Sequence, residues 1–152
     1  MSSKSRPSLA KAQALQVERL EERLTPATSI LTYHNDLALT GQNLTETLLT
    51  PASVNVEEFG KLRSIPMNGQ VYAQPLYVAD LVFTTGTTQT TRDVVYAATM
   101  GNSVYAVDAD SGAILWQRNF VNPAQGITTV PQADVVTEDI QPEIGILSTP
   151  TI

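Results

Sequence analysis

The chain has 152 residues, of which 42% are hydrophobic and 16% are charged, and its formal net charge is −6 at pH 7. Residues 1–24 carry five basic and three acidic side chains, whereas the rest of the chain carries four basic and twelve acidic ones. An acidic body without a cluster of Lys and Arg argues against nucleic acid and anionic membrane surfaces as partners.

The composition also limits the fold and the chemistry. There is no cysteine, so disulfides, thiolate metal sites and cysteine nucleophiles are excluded. No apolar run approaches the roughly eighteen residues of a membrane span, and the sequence predicts no transmembrane segment. Thr, Val and Tyr are frequent and turn residues are plentiful, which favours an all-β body.

The first predicted element is a helix over residues 9–24, LAKAQALQVERLEERL. Most of these residues favour helices, and three aliphatic side chains recur at helical spacing to form one apolar stripe. Thr25-Pro26 ends the helix, because the residue before proline avoids the helical region. The sequence thus predicts a leader over residues 1–27, which is either a plain amphipathic segment or a targeting segment.

The folded body is predicted to cover residues 28–152 and to consist of short strands joined by polar loops. The segment FGKLRSI, residues 59–65, alternates apolar with polar residues and predicts a half-buried strand. The run TTGTTQTT, residues 84–91, predicts a polar surface loop. Further strands are predicted over residues 71–78, 93–98, 103–107, 113–120 and 144–152.

The stretch GNSVYAVDADSGAILWQ, which starts at Gly101, predicts a β-hairpin, because two strand-like runs flank a turn sequence. Ala106, Asp108, Gly112 and Trp116 have the spacing A-x-D-x-x-[ST]-G-x-x-x-W. This spacing resembles the tryptophan-docking repeat of β-propellers of the pyrroloquinoline-quinone (PQQ) type. In that family the indole packs on the neighbouring blade, the small residue leaves room for it, and the Asp and Gly hold the turn.

A longer similarity points the same way. The strings LTYHNDLALTGQN, TPASVNVEEFGKL, GQVYAQPLYV, SVYAVDADSG and NPAQGITTVP resemble, in this order, the N-terminal part of the PQQ-repeat (quinoprotein alcohol dehydrogenase-like) propeller family. The resemblance implies a partial β-propeller, with a ring-closing strand near residues 59–65, one four-stranded blade over residues 70–120, and the next blade starting at residues 144–152. It also implies a fragment whose partners are the remaining blades, because one blade leaves both faces uncovered.

The leader carries a resemblance of its own. VERLEERLTPA, residues 17–27, is similar to the LE-x-LE-x-R-LTP motif near the N-terminus of many large exported proteins of planctomycete-type bacteria. This similarity implies an exported or cell-surface location.

His34, the only histidine, forms a polar loop motif with Asn35 and Asp36. One interpretation is a His–Asp pair in which the histidine acts as a base. The alternative is a loop histidine that hydrogen-bonds the backbone and fixes a connection between blades. The chain departs from the family pattern at two places. Leu39 stands where related chains usually carry Arg, and Met100-Gly101-Asn102 replaces a more polar string. If those polar positions serve a site, this chain has lost it.

Two acidic stretches are candidates for metal binding. Carboxylate-rich loops supply oxygen ligands to calcium, but the stretch after residue 133 matches no EF-type spacing, which favours a solvated loop. Asp110, beside Asp108 in the hairpin turn, is likewise interpreted as structural. The acidic loop residues are Asp134, Glu138, Asp139 and Glu143.

The sequence therefore favours a non-catalytic exported scaffold or binding module that meets a protein or carbohydrate ligand and needs no cofactor. The alternative is the N-terminal part of a PQQ- and calcium-dependent quinoprotein-like oxidoreductase with its active site in missing blades. The third hypothesis is a truncated gene product that has no independent activity. None of the family's PQQ or calcium ligands can be placed on these residues, and a repeat implies shape rather than chemistry.

Overall fold

A computed structural model describes residues 28–57, 59–135 and 138–152. The described chain is all-β, as the composition predicts, and its only helical elements are two 3-10 turns of three residues each. The predicted helix over residues 9–24 and the leader around it lie outside the described residues. Within the described part, no helix has the length and hydrophobicity to cross a membrane.

Four long strands form one antiparallel sheet, in which each strand pairs with the next along the chain. Sequential strands joined by short turns pair in this way because the connection leaves no room for another order. A second sheet contains two short antiparallel strands. The strands are β1 (Leu76–Thr85), β2 (Thr88–Ala98), β3 (Ser103–Asp108), β4 (Ile114–Asn119), β5 (Val130–Pro131) and β6 (Glu143–Ile144).

The register of the four-stranded sheet places one row of side chains on each face, because directly opposite residues point the same way. One row contains Leu76, Tyr96, Ala106 and Trp116 in strand order. The other contains Tyr77, Val95, Val107 and Ile114. Most side chains of β3 and of the second half of β2 are buried, whereas β4 is largely exposed. The core therefore lies along the middle strands.

The predicted loop over residues 84–91 is wrong. β1 continues to Thr85 and β2 begins at Thr88, so Gly86-Thr87 forms a tight two-residue connection. Thr85 pairs with Thr88 and Thr84 with Gln89 across the ribbon. Threonine is β-branched and fits an extended, solvent-exposed strand, so low complexity here produces a hairpin arm and not an irregular loop.

Several strand limits differ from the sequence prediction. The first strand starts at Leu76 instead of residue 71, after Pro75, whose ring removes the backbone donor that a ladder needs. Residues 59–65 contain no assigned strand, and their part in closing a ring stays a prediction. The last predicted strand, over residues 144–152, is reduced to β6, which ends at Ile144.

Three segments cross at the connection between β2 and β3. The Met100 amide donates to the Gln70 carbonyl at 2.8 Å, and the Ile146 amide donates to the Thr99 carbonyl at 3.3 Å. Gly145 allows this approach, because a Cβ atom there would lie 2.6 Å from Oδ1 of Asn102. The crossing joins the chain before β1 and the chain after β6 to one end of the sheet.

Candidate functional site

The hairpin turn of the repeat motif is held by the carboxylate of Asp108, which is 5% exposed. That carboxylate accepts hydrogen bonds from the backbone amide and hydroxyl of Ser111, at 2.7 and 2.6 Å, and from the Arg92 guanidinium at 2.6 Å. These bonds, those of Ser111 first, hold the pKa of Asp108 well below its usual value of 3.8. The three donors leave the carboxylate fully engaged in the fold.

Gly112 completes the turn. Its φ of 74° lies in the left-handed region, and its amide donates to the Asp108 carbonyl at 2.8 Å. A Cβ atom at this position would lie 2.6 Å from Cδ of Arg63. The left-handed backbone therefore favours glycine at this position, whereas the Arg63 side chain is flexible and can move aside. Asp108 and Gly112 therefore hold this turn through their hydrogen bonds and backbone conformation.

The motif tryptophan lies beside the small residue of the motif. Ala106 faces Trp116 across the ladder, with Tyr96 on its other side in the same row. The rings of Tyr96 and Trp116 are tilted by 50°, with their centroids 5.9 Å apart, which is a favourable aromatic geometry. A larger side chain than that of Ala106 would obstruct this contact. The indole nevertheless stays 42% exposed.

The polar loop motif forms a compact turn whose side chains bond to its own backbone. Nδ1 of His34 lies 3.2 Å from the Leu39 carbonyl, so the proton sits on Nδ1 and is donated to that oxygen. The amide of Asn35's side chain donates to the Gln42 carbonyl. The His34 carbonyl accepts from the amides of Asp36 and Gly41, at 2.8 and 2.9 Å. These contacts are those of a loop-fixing histidine.

Asp36 bonds to a different partner from His34. Its carboxylate accepts hydrogen bonds from the hydroxyl of Thr40 and from the Thr40 amide, the latter at 3.2 Å. These two bonds, the hydroxyl one first, lower the pKa of Asp36 below its usual value. The structure thus brings His34, Asn35 and Asp36 into one turn, but their side chains are committed to separate backbone and hydroxyl groups. A His–Asp pair is not formed.

The loop is anchored to the edge of the sheet and to the end of the chain. Ile30 and Tyr77 exchange backbone hydrogen bonds at 2.7 and 3.0 Å. The His34 amide donates to Oε1 of Gln74 at 3.2 Å. The Ile152 amide donates to the Leu31 carbonyl at 3.0 Å. Three distant parts of the sequence therefore meet beside β1.

A cleft with a volume of about 370 Å³ opens where these segments meet. Its wall contains two half-exposed aromatic rings, one apolar side chain and two hydroxyl side chains. They are Tyr33, Tyr72, Leu147, Ser148 and Thr149. This cleft was not predicted, because its residues are separated by more than a hundred positions and share no common period. The one available signal was the nearness of Tyr33 to the polar loop.

The edge strand β1 carries a bulge that is fixed by Asp93. Its carboxylate accepts the Tyr77 hydroxyl at 2.5 Å and the Asp80 amide at 2.9 Å, where the register shifts between Val78 and Leu81. Burial, followed by the nearby Asp93 carboxylate, raises the pKa of Tyr77 well above its usual value of 10.0. The contact stabilises the strand that anchors the polar loop.

The acidic stretch shows no metal-binding geometry. In the residues that the structure describes, no three His, Cys, Asp or Glu side chains are grouped so as to hold a metal ion. Glu143 accepts a hydrogen bond from the Thr129 hydroxyl at 2.5 Å. At the position where the family resemblance implies polar residues, Met100 is fully buried.

Comparison of the chain with protein-family models, with curated proteins and with solved structures gave no match.

Proposed function

We propose that the chain is a non-catalytic scaffold or binding module of the β-propeller type, in which the four-stranded sheet is one blade. One observation carries the proposal: the outer strand β4 leaves an apolar side chain uncovered on each face. Trp116 is 42% and Ile114 is 45% exposed. They lie on opposite faces although they are two residues apart, because a register shift in the β3–β4 pair sets them opposite Ala106 and Val107, which are successive residues of β3.

A sheet with apolar residues on both faces needs a layer on each side to exclude water from them. Blades of a propeller meet this need by stacking around a ring, and each blade is an up-and-down sheet of four strands. The consecutive order of β1 to β4 agrees with such a blade. The spacing of the tryptophan-docking motif supports the same assignment. The partners of this sheet are then further sheets of the same repeat, in a larger exported protein.

The oxidoreductase alternative has no observation in its favour. PQQ in that family is accompanied by calcium on carboxylate and amide ligands. The described residues do not fit this requirement, since their acidic side chains do not converge.

Sedimentation velocity across a concentration series tests the proposal on the 152-residue chain. If the sheet lacks its neighbours, the chain associates through its open faces, and Trp116→Glu or Ile114→Glu weakens that association. Leu48→Glu is the matched control, because Leu48 is 50% exposed and lies outside both the sheet and the predicted ring-closing segment. A monomer at all concentrations with a sharp cooperative thermal transition contradicts the proposal.

A further inference from the structure

We propose that the cleft beside the polar loop binds a neutral carbohydrate. The rings of Tyr33 and Tyr72 stack on C–H faces of the sugar, and hydroxyl groups of the cleft bond to its hydroxyls. The inference rests on the proposed binding function and names the class of ligand for it.

The size and openness of the cleft suit a sugar unit. Its volume of about 370 Å³ falls within the ~300–1,000 Å³ of ordinary ligand sites. Tyr33 and Tyr72 are 47% and 46% exposed, so about half of each ring is free to contact a ligand. Aromatic side chains supply such contact area at a small loss of conformational entropy.

Tyr33 is held in position before any ligand arrives. Its ring stacks on the imidazole of His34, with a centroid distance of 3.8 Å and an interplanar angle of 25°. His34 is fixed in turn by the Leu39 carbonyl and by Gln74. The polar loop motif thus acts as a support for one wall of the cleft, and a positioned ring binds with less ordering cost than a free one.

The hydroxyl groups of the cleft retain capacity for hydrogen bonds. The Thr149 hydroxyl oxygen accepts a hydrogen bond from the backbone amide of Gln74 at 2.9 Å, so the hydroxyl proton is free to be donated to a ligand. The Tyr72 hydroxyl donates to the Asp139 carbonyl at 3.3 Å, which leaves its lone pairs to accept. The hydroxyls of Tyr33 and Ser148 have no hydrogen bond to any described residue. A ligand rich in both donors and acceptors matches this set.

The charge of the cleft selects among polar ligands. None of its five lining residues is charged at neutral pH. An anionic ligand would have no cation to pair with and would meet the acidic body of the chain. A proline-rich peptide also favours tyrosine-lined grooves, but it offers few donors to four hydroxyl groups. The neutral, hydroxyl-rich ligand is therefore the best match.

The test is a titration of the 152-residue chain, followed by amide chemical shifts, with neutral oligosaccharides of glucose, xylose, mannose and N-acetylglucosamine. We expect one or more to bind saturably with shifts around the cleft. Tyr33→Ala and Tyr72→Ala should each weaken binding about tenfold, as loss of an aromatic contact does. Tyr33→Phe retains the stacking ring and should lose less. Phe59→Ala, an exposed aromatic outside the cleft, should bind like the original chain.

Absence of binding across the panel, or binding that neither tyrosine affects, overturns the inference. Preferential binding of a proline-rich peptide in the cleft also overturns it. The outcome is separable from that of the proposed function: loss of sugar binding with association through Trp116 intact removes only this inference. Unaltered spectra outside the cleft show that the variants fold.

Discussion

The Asp108 turn and the loop over residues 33–41 use the same local chemistry with different results. In each, an aspartate carboxylate accepts an amide and a hydroxyl from a residue three or four positions later, Ser111 or Thr40. Asp108 also binds Arg92 and is buried, whereas Asp36 stays in contact with solvent. Around Asp108, the polar groups are hydrogen-bonded to one another within the fold. Beside Asp36, the ring of Tyr33 is half exposed, and the hydroxyls of Tyr33 and Ser148 have no hydrogen bond to a described residue.

The comparison separates motif residues that specify shape from residues that are available to a ligand. The strongest pattern in the sequence is the propeller-like repeat, whose turn residues Asp108 and Gly112 are hydrogen-bonded within the fold, while its Trp116 stays 42% exposed. The cleft is built from residues of three remote segments that share no common spacing. The Asp108 turn lies at the end of β3 opposite the crossing near Met100, whereas Ser148 and Thr149 of the cleft closely follow Ile146 of that crossing. The cleft can therefore be perturbed while the turn is observed.

The largest expected effect is that of Gly145→Ala, which separates the two regions. The added methyl group would collide with Oδ1 of Asn102 and with the Met100 carbonyl. We expect a loss of stability of about 1–3 kcal/mol, as for overpacked sites, and loosening of the segment that carries Ser148 and Thr149. Urea denaturation measures the first effect, and hydrogen exchange locates the second.

The matched control for Gly145→Ala is Gly60→Ala. A Cβ atom at Gly60 meets nothing within 4 Å, and its φ is not in the left-handed region. This variant should leave stability and hydrogen exchange unchanged. Equal behaviour of the two variants contradicts the crossing described at Met100.

The second effect is a difference in acid sensitivity between the two aspartate turns. Because the folded pKa of Asp108 lies below its usual 3.8, its stabilising contribution is complete above 3.8 and is lost as the pH falls through the lowered value. Asp108→Asn should therefore reduce stability at neutral pH and flatten its decline in acid. Asp36→Asn should do both more weakly, because solvent screens the exposed carboxylate. Urea denaturation at stepwise lower pH checks this order, and an equal response of both variants contradicts it.

A smaller effect, a gain in stability instead of a loss, is expected for a substitution at the Met100 crossing itself. The Thr99 hydroxyl oxygen is buried and finds no hydrogen-bond partner among the described residues. Thr99→Val replaces it with a methyl group of similar shape, so we expect a gain of up to about 1 kcal/mol. Thr90→Val, on the exposed part of β2, serves as the control. A clear loss of stability at Thr99 would show that its hydroxyl is bonded.

The smallest effect concerns the edge strand that anchors the loop. Burial and Asp93 keep the Tyr77 phenol protonated, so its contribution is complete below pH 10.0 and is lost as the pH rises through the raised folded value. Ultraviolet titration should show one phenol that ionises well above 10.0, and Tyr77→Phe should remove it. Persistence of that late step in the variant would contradict the assignment.

Sequence reasoning predicted the all-β class and the third and fourth strands closely, because the hairpin around Asp108 has a local turn signature with strong propensities on both sides. It misjudged residues 84–91, where low complexity concealed the β propensity of threonine. It overextended the strands at residues 71–75 and 145–152, because the register and the Gly145 crossing are set by distant contacts. Alternation alone also predicted a strand over residues 59–65.

The candidate site was predicted less well than the fold. His34, Asn35 and Asp36 were recognised as a polar unit, and the loop-fixing alternative agrees with their contacts. Tyr72 and Thr149 were not recognised, since the cleft exists only where three remote segments meet beside β1. Local patterns do not encode such a meeting.

Acrylamide quenching of tryptophan fluorescence tests the central proposal most directly, because Trp116 is the only tryptophan of the chain. Under this proposal another sheet covers the face of the four-stranded sheet that carries Trp116. The indole should therefore be readily quenched in dilute chain and become protected as association increases. Leu48→Glu should leave this change intact, and Ile114→Glu should weaken it. An indole equally accessible at every concentration, in a chain that unfolds cooperatively as a monomer, would contradict the account.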